Sequence, residues 1–290
     1  EKSVHIPVLL QASLAQIQPK KGESYLDFTA GYGGHAGEFL NITKNFEDSV
    51  LVDRDENAIC TLQRFKNEGV ELLHMDFLSA ARELVKEGRK FDIILADLGV
   101  SSPQLDIAER GFSFRKDGPL DMRMNPAQEK TAADIVNFAN KSELMQILIE
   151  FGEEKRGFAE RIVSKIIEVR KKQRIETTTQ LADLILSVHK GGWQKTHPAT
   201  RTFQAIRIAV NNELQQVEEV LGLLPKLLNH GGRVGIITFH SLVKNYFKED
   251  SKKGLESKFQ IVTKKPLDGA KEDANNPRAR SAKLRVSIRK

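Results

Sequence analysis

The sequence has a single cysteine, Cys60, among its 290 residues. No disulfide framework can form within the chain, and a metal cluster held by cysteine thiolates is excluded. Such sparing use of cysteine is typical of a reducing compartment, so we expect a cytoplasmic protein.

Long hydrophobic runs are also missing. The first residues, EKSVHIPVLLQ, contain only a short apolar stretch, so we expect neither a signal peptide nor a membrane span. The net charge of +6 is a modest excess for a chain of this length. It favours an anionic partner, such as a nucleic acid, without establishing one.

Several catalytic motifs are absent. The histidines include no i, i+4 pair and no HExxH segment, so we expect no metal site. The absence of GxSxG argues against a serine hydrolase, and the absence of GxxxxGK[ST] argues against a P-loop enzyme.

The most informative stretch is YLDFTAGYGGH, from Tyr25 to His35. It predicts a strand, a glycine turn and the start of a helix, which is the first unit of a nucleotide-binding α/β sheet. A second predicted strand ends near Asp53, an acid placed to accept hydrogen bonds from ribose hydroxyls. The spacing G-x-G-G-H differs from G-x-G-x-x-G, so dinucleotide binding is disfavoured. The alternative is a tight turn with Asp53 as a solvated strand end.

Further strands are predicted at 70–76 and 91–99, the latter an almost unbroken apolar run typical of a central parallel strand. Strands alternating with helices over the first hundred residues predict a doubly wound parallel sheet. A fifth strand at 231–240 and a closing pair at 259–265 and 284–289 complete the predicted sheet.

Residues 100–125 form a long segment rich in Ser, Gly, Pro, Arg and Asp, and helical patterns follow up to His189. Long irregular loops in compact domains tend to be functional. We therefore predict one α/β domain formed by residues 1–105 and 200–290. The loop and an all-helical insert occupy 106–199.

The fourth predicted strand ends in DLGVSSPQ, residues 97–104. Ligands of such sheets lie outside the carboxyl ends of the strands, so this segment would face the glycine turn. Asp97, Ser101 and Ser102 could accept the N–H groups of an amine and turn its lone pair toward a methyl donor. The alternative is that Ser-Ser-Pro is only a turn.

At this point the sequence resembles a known family. HIPVLL, GYGGH, the run DLGVSSPQLDIAERGFSFRKDGPLDMRMNP, HPATRTFQAIRIAVNNEL and NPRARSAKLRV are similar to segments of the bacterial small-subunit ribosomal RNA cytosine-N4 methyltransferases, the MraW or RsmH family. The resemblance implies a Rossmann-like class I methyltransferase sheet with a helical insert. It implies that S-adenosyl-L-methionine is used to methylate the N4 amine of a cytidine in the decoding centre of 16S RNA, within the RNA or the 30S particle. It also implies pairing into a homodimer.

The resemblance implies site residues as well. The cofactor contacts carried over by motif are Gly33, Gly34, His35, Asp53, Phe77, Asp97 and Gln104. Basic residues of the long loop, together with a histidine after the fifth strand, are candidate substrate contacts: Arg110, Arg115, Arg123 and His240. A second basic group, Arg170 to Arg174, follows a predicted helix, where positive charge also suits the helix dipole.

One departure from the family lies after FHSL, which family members continue with a stretch resembling EDR. Here Leu242 runs straight into Val243 and Lys244. Two other functions stay open on residues alone. A nicotinamide-dependent oxidoreductase would need G-x-G-x-x-G, and a non-catalytic RNA-binding protein could retain the same fold.

Overall fold

The computed structural model describes residues 7–99, 107–191 and 196–290. They form two compact units, one of residues Glu1–Gly99 with Gln216–Lys290 and one of residues Val100–Gln215. The predicted catalytic or cofactor residues Ser101, Ser102 and Gln104 lie outside the described residues.

The first unit contains one sheet with helices on its faces. Its strands are β1 (Tyr25–Asp27), β2 (Val50–Asp53), β3 (Glu71–His74), β4 (Phe91–Asp97), β5 (Leu228–Thr238), β6 (Phe259–Ile261), β7 (Leu267–Asp268) and β8 (Lys283–Arg289). The helices up to β4 are α1 (Leu10–Ile17), α2 (Gly34–Thr43), α3 (Glu56–Lys66) and α4 (Phe77–Lys86).

The strand order is β3-β2-β1-β4-β5-β8-β6, and β7 pairs with β8. The first five strands are parallel, whereas β8 is antiparallel to both β5 and β6. This arrangement confirms the predicted parallel sheet and its closing antiparallel pair. The switch point, where the strand order reverses, lies between β1 and β4.

The central strand β4 is buried because apolar side chains cover both of its faces. Ile93 and Leu95 pack into one hydrophobic cluster, and Ile94 and Ala96 pack into another. Side chains alternate across a strand, so an apolar residue at every position predicts burial on two sides. Helices α1 and α2 contribute to the first cluster, and α4 contributes to the second.

Polar residues start the helices that leave the sheet. Asp55 is the N-cap of α3 and accepts a hydrogen bond from the Asn57 N–H, and Asp76 is the N-cap of α4 and accepts from the Ser79 N–H. These caps satisfy orphan donors of the first turn. They also set where each connection after β2 and β3 turns back along the sheet.

The second unit is helical. Its helices are α5 (Ala132–Phe138), α6 (Lys141–Gln146), α7 (Arg156–Arg170), α8 (Thr178–Ser187) and α9 (Thr200–Asn211), and α10 (Glu213–Leu227) begins in it. Capping boxes at Thr131 and Thr177 start α5 and α8. Before α5, the loop forms one 3₁₀ turn at Ala108–Arg110 and a bridge from Pro119 to Thr177.

The division between the units differs from the predicted boundary at residue 200. Helix α9 belongs to the helical unit because Phe203, Ile206 and Val210 pack into that unit's own core. Asn211 strengthens the attachment, accepting from the Met124 N–H and donating to the Met122 carbonyl. A sequence pattern shows that α9 has an apolar face, but not which core that face joins.

The remaining features are local. The sequence pattern predicts one long or broken helix over 200–228, and the structure has the broken form, since Asn212, with a φ of 51°, ends α9. Strand β5 begins at Leu228, three positions before the predicted Gly231. Helices α11 (Leu242–Ser251) and α12 (Gly269–Glu272) lie beyond β5. Within the described ranges, no helix has the length and hydrophobicity that a membrane crossing requires.

Candidate active site

Two carboxylates lie at the switch point of the sheet. Asp27 ends β1 and Asp97 ends β4, and Asp27 is in register with Leu95. Tyr25 and Leu95 belong to the same hydrophobic cluster. Because side chains two positions apart share a face, Asp27 and Asp97 point to the face that carries this cluster.

Asp27 is buried, with an exposed fraction of 1%. The Tyr25 hydroxyl donates to Oδ2 of Asp27 over 2.7 Å, and the Thr29 N–H donates to Oδ1 over 3.0 Å. Burial raises the pKa of Asp27 to about 6, although both hydrogen bonds favour the ionised form. Burial, together with the Asp27 charge, raises the pKa of the Tyr25 hydroxyl, which stays a donor.

Asp97 is half-buried and is held through its main chain. Its N–H donates to the Thr29 hydroxyl over 2.6 Å, and no described residue donates a hydrogen bond to its carboxylate. Burial, followed by the charge of Asp27, raises the pKa of Asp97 to about 7. A carboxylate without a donor at a ligand-binding edge is suited to a cation or an N–H group.

The glycine turn follows β1. Gly31 and Gly33 have φ values of 54° and 81°, in the left-handed region that favours glycine. The Gly33 N–H donates to the Ala30 carbonyl, which closes the turn. A Cβ on Gly33 would lie 2.6 Å from the Phe65 ring, so this position has no room for a side chain.

Asp53, at the end of β2, is tied to this turn. Its Oδ2 accepts from the Gly31 N–H over 2.8 Å, and its Oδ1 accepts from the Asp55 N–H over 2.9 Å. Burial raises the pKa of Asp53, and the two main-chain donors oppose that rise. Each oxygen has accepted one bond and retains capacity for another, so the carboxylate can receive two hydroxyl groups.

His35 and Gly34 begin α2 and hold the segment before α1. Nε2 of His35 donates to the Val8 carbonyl over 2.9 Å, and the side chain is buried. A Cβ on Gly34 would lie 2.3 Å from the ring of Pro7. The His35 side chain is therefore a tether, and a cofactor contact from this residue would come from its main chain.

Phe77 and His240 follow strands on opposite sides of the switch point, Phe77 after β3 and His240 after β5. Phe77 is the first residue of α4 and lines an apolar pocket with Phe28, Ala96 and Leu98. His240 follows β5, and its Nδ1 accepts from the Leu242 N–H over 3.1 Å. A neutral His240 therefore carries its proton on Nε2. This contact starts α11 at the point where the sequence departs from its family.

The predicted basic substrate contacts fall in the second unit. The Arg123 guanidinium donates to both carboxylate oxygens of Asp121, and Arg110 donates to the carbonyls of Arg123 and Met124. Both guanidinium groups thus hold the loop. Arg115 is exposed, and no described residue bonds to its side chain. A role for these residues in substrate binding stays a prediction.

Sequence reasoning did not single out Asp27 as a site residue. The signal was present, because Asp27 is the lone charged residue in the apolar strand YLDF. A charge buried among apolar neighbours needs a partner, which marks such a position for closer attention. No group of three or more potential metal ligands occurs among the described residues.

The arrangement fits S-adenosyl-L-methionine. Asp53 has acceptor capacity for the ribose hydroxyls, and Asp97 offers the cationic end a half-buried carboxylate to which no described residue donates a hydrogen bond. Carboxylates at the ends of β1, β2 and β4, beside a glycine turn, occupy the ligand edge of the sheet. The fold and this edge define a Rossmann-like, S-adenosylmethionine-dependent methyltransferase.

Comparison with known proteins identifies the family of this chain. The chain belongs to the MraW methylase family, whose model matches residues 2–290. A relative from Citrifermentans bemidjiense, the ribosomal RNA small subunit methyltransferase H, is 44% identical, with 97% of each chain covered. The protein of the same name from Acidobacterium capsulatum is 41% identical, with 100% of each chain covered.

One solved structure that matches the chain shares little of its sequence. A putative methyltransferase from Streptococcus mutans in complex with SAH has a TM-score of 0.45 and 10% sequence identity, covering 99% of this chain and 100% of that one.

Proposed function

We propose that this enzyme transfers a methyl group from S-adenosyl-L-methionine to the N4 amine of a cytidine in the decoding centre of 16S ribosomal RNA. The observation that carries the proposal is the presence of two carboxylates at the ligand edge: Asp53, held by the glycine turn, and Asp97, whose carboxylate receives no hydrogen bond from the described residues. Membership of the methylase family and the names of its relatives support the substrate.

In this proposal the glycine turn and Asp53 bind the nucleoside half of the cofactor. The Gly31 and Asp55 N–H groups fix the Asp53 carboxylate before the cofactor arrives, so little conformational freedom is lost on binding. Phe77 lies beside the adenine, and Gln104 lies near the methionine end with Asp97. Gly33, Gly34 and His35 contribute main-chain groups at the start of α2.

S-Adenosylmethionine would supply an activated methyl group when bound. The amine nitrogen would form the new C–N bond, the sulfur would keep the electron pair of the broken C–S bond, and the proton lost by the nitrogen would pass to solvent. The exocyclic amine of cytosine is a poor nucleophile because its lone pair is delocalised into the ring. Asp97, Ser101 and Ser102 are proposed to accept its N–H groups and to turn the lone pair toward the methyl carbon. Positioning of this kind accounts for a large part of catalysis.

The helical unit is proposed to recognise the RNA, as naked 16S RNA or as part of the 30S particle, with Arg115 as a phosphate contact. We propose a cytoplasmic location, because that is where bacterial ribosomal RNA is assembled. A homodimer stays an expectation, which sedimentation of the purified protein tests. A non-catalytic RNA-binding role is not favoured, since the chain belongs to a methylase family.

The deciding experiment is methyl transfer to 30S particles and to free 16S RNA from cells that lack this protein. Radiolabelled S-adenosylmethionine supplies the methyl group, and digestion to nucleosides identifies the product. We expect label in N4-methylcytidine with the wild-type enzyme and none with Asp97→Asn, which keeps the side-chain shape and loses the charge.

Two results would contradict the proposal. Label in another nucleoside would reject the cytosine amine, and cofactor binding without any transfer would favour the non-catalytic alternative. The Ser101→Ala, Ser102→Ala double variant tests the serines separately, since transfer at the normal rate would remove them from the proposed amine-orienting set.

A further inference from the structure

Phe138, at the end of α5, is the most exposed aromatic side chain among the described residues, with an exposed fraction of 70%. Exposure of a phenylalanine forgoes the stabilisation that its burial would give. The residue is not on a loosely held loop. Its ring lies beneath the Arg174 guanidinium, which is 5.3 Å from the ring centroid.

Two contacts fix the backbone around this ring. The Asn137 side chain donates to the Ile175 carbonyl over 2.8 Å and accepts from the Ile175 N–H over 3.0 Å. Arg170, the last residue of α7, donates to the carbonyls of Val136 and Ala139. The ring is therefore held in place from both sides of its helix end, without being covered.

Basic residues occupy the segment between Arg170 and Arg174, the two arginines that contact the end of α5. Arg174 is balanced in part by Asp134, 3.4 Å away, and by Glu176, 3.8 Å away. Lys171 and Lys172 are exposed, and neither has an acidic partner among the described residues. We call Phe138, Arg174, Lys171 and Lys172 the Phe138 platform.

We propose that the Phe138 platform binds single-stranded RNA, with a base stacked on the open face of the Phe138 ring and phosphates held by Lys171 and Lys172. A base has an apolar face that suits an exposed ring, and its phosphate carries the charge that suits free ammonium groups. A guanidinium on the opposite ring face leaves one face for the base. The inference rests on the proposed RNA substrate and names where the helical unit would contact it.

The test measures binding of the full-length protein to a fluorescein-labelled single-stranded RNA copied from the decoding region, and to the duplex it forms with its complement. Loss of one stacked base costs about 1–3 kcal/mol, so Phe138→Ala should weaken single-strand binding by roughly 5- to 150-fold. Phe138→Trp should retain it. Duplex binding, which offers no free base face, should change little.

The role of Lys171 and Lys172 is tested by the salt dependence of RNA binding. The double variant Lys171→Ala, Lys172→Ala should lower the slope of log affinity against log salt by about 1.4, since each phosphate contact with a single strand contributes about 0.7. The matched control is Lys155→Ala, Arg156→Ala, which removes the same charge at the other end of α7, where both residues are exposed. The control should leave the slope near that of the wild type.

Wild-type affinity in Phe138→Ala, or an equal loss on single strand and duplex, would overturn the proposal. A shift of Phe138→Ala in sedimentation with RNA binding unchanged would make the platform a protein contact, which also overturns it. Methyl transfer to 30S particles is assayed in parallel. If the wild type transfers no methyl group, the proposed function is rejected. If only the platform proposal is wrong, the wild type still transfers the methyl group.

Discussion

The Tyr25 hydroxyl donates a hydrogen bond of 2.7 Å to the Asp27 carboxylate inside the sheet, one strand away from Asp97. Burial raises the pKa of Asp27 to about 6 and that of Asp97 to about 7. Two carboxyl groups at the ends of adjacent strands thus titrate in the range where cells operate, and their charge bears on both stability and cofactor binding.

Cofactor binding should depend on pH through Asp97. A sulfonium cation favours the ionised carboxylate, and one pH unit below the pKa of about 7 only about a tenth of Asp97 is ionised. Affinity for S-adenosylmethionine should therefore rise about tenfold between pH 6 and pH 8. Calorimetry in buffers of different ionisation enthalpy should detect proton release on binding at pH 6.5.

The neutral thioether product provides the control for that experiment. S-Adenosylhomocysteine lacks the sulfonium charge, so its affinity should change less over the same pH range. Asp97→Asn should reduce the dependence of S-adenosylmethionine affinity on pH. A profile that stays equally steep in Asp97→Asn would mean that another group causes the pH dependence.

Stability should show the opposite trend through Asp27. Its pKa is about 6 in the folded protein and about 4 in the unfolded chain, so the folded state binds more protons between these values. The free energy of unfolding should fall as pH rises from about 4 to about 6, by on the order of 3 kcal/mol for this group. Urea unfolding at several pH values measures the slope. Asp27→Asn should remove the contribution of this carboxyl group to the slope. An unchanged slope in this variant would contradict the raised pKa of Asp27.

Asp53 should be required for cofactor affinity. Hydrogen bonds to a charged group contribute roughly 1.5–3 kcal/mol, so Asp53→Ala should weaken S-adenosylmethionine binding by at least tenfold. Isothermal titration measures the effect. Asp48→Ala, an exposed acid just before β2, is the control and should bind normally. Equal affinity in both variants would place the ribose elsewhere.

The glycine turn allows a paired test of strain against crowding. Gly22 has a φ of 89° and open space around its Cβ position, whereas Gly33 has a φ of 81° and faces the Phe65 ring. Gly22→Ala should cost only the left-handed backbone penalty, about 1–2 kcal/mol. Gly33→Ala should cost more and should also weaken cofactor binding. Thermal unfolding and titration distinguish the two, and equal losses would show that the ring moves aside.

The loop arginines should separate into two kinds. Arg123→Lys cannot make the bidentate contact with Asp121, so it should lower the thermal midpoint of unfolding. Arg115→Ala should leave that midpoint unchanged and weaken RNA binding with a smaller salt slope. The reverse pattern would reject the proposed phosphate contact of Arg115.

Local sequence patterns alone were sufficient to predict much of the fold of this protein. The strands, the glycine turn and the helical character of the middle segment follow from periodicity and from residues with restricted conformations, which act over a few neighbours. Family motifs extended this to a set of cofactor residues that stays a prediction. These properties depend on interactions between residues close in the chain, so they can be predicted from the sequence alone.

Tertiary structure decided the rest. Only packing joined α9 to the helical core, engaged the guanidinium groups of Arg110 and Arg123, and turned His35 into a tether. The coupling of Asp27 to Asp97 likewise needs β1 beside β4, although 70 positions separate the two residues in the chain. Burial and neighbouring charge set a carboxyl group's pKa, and both depend on contacts between distant segments.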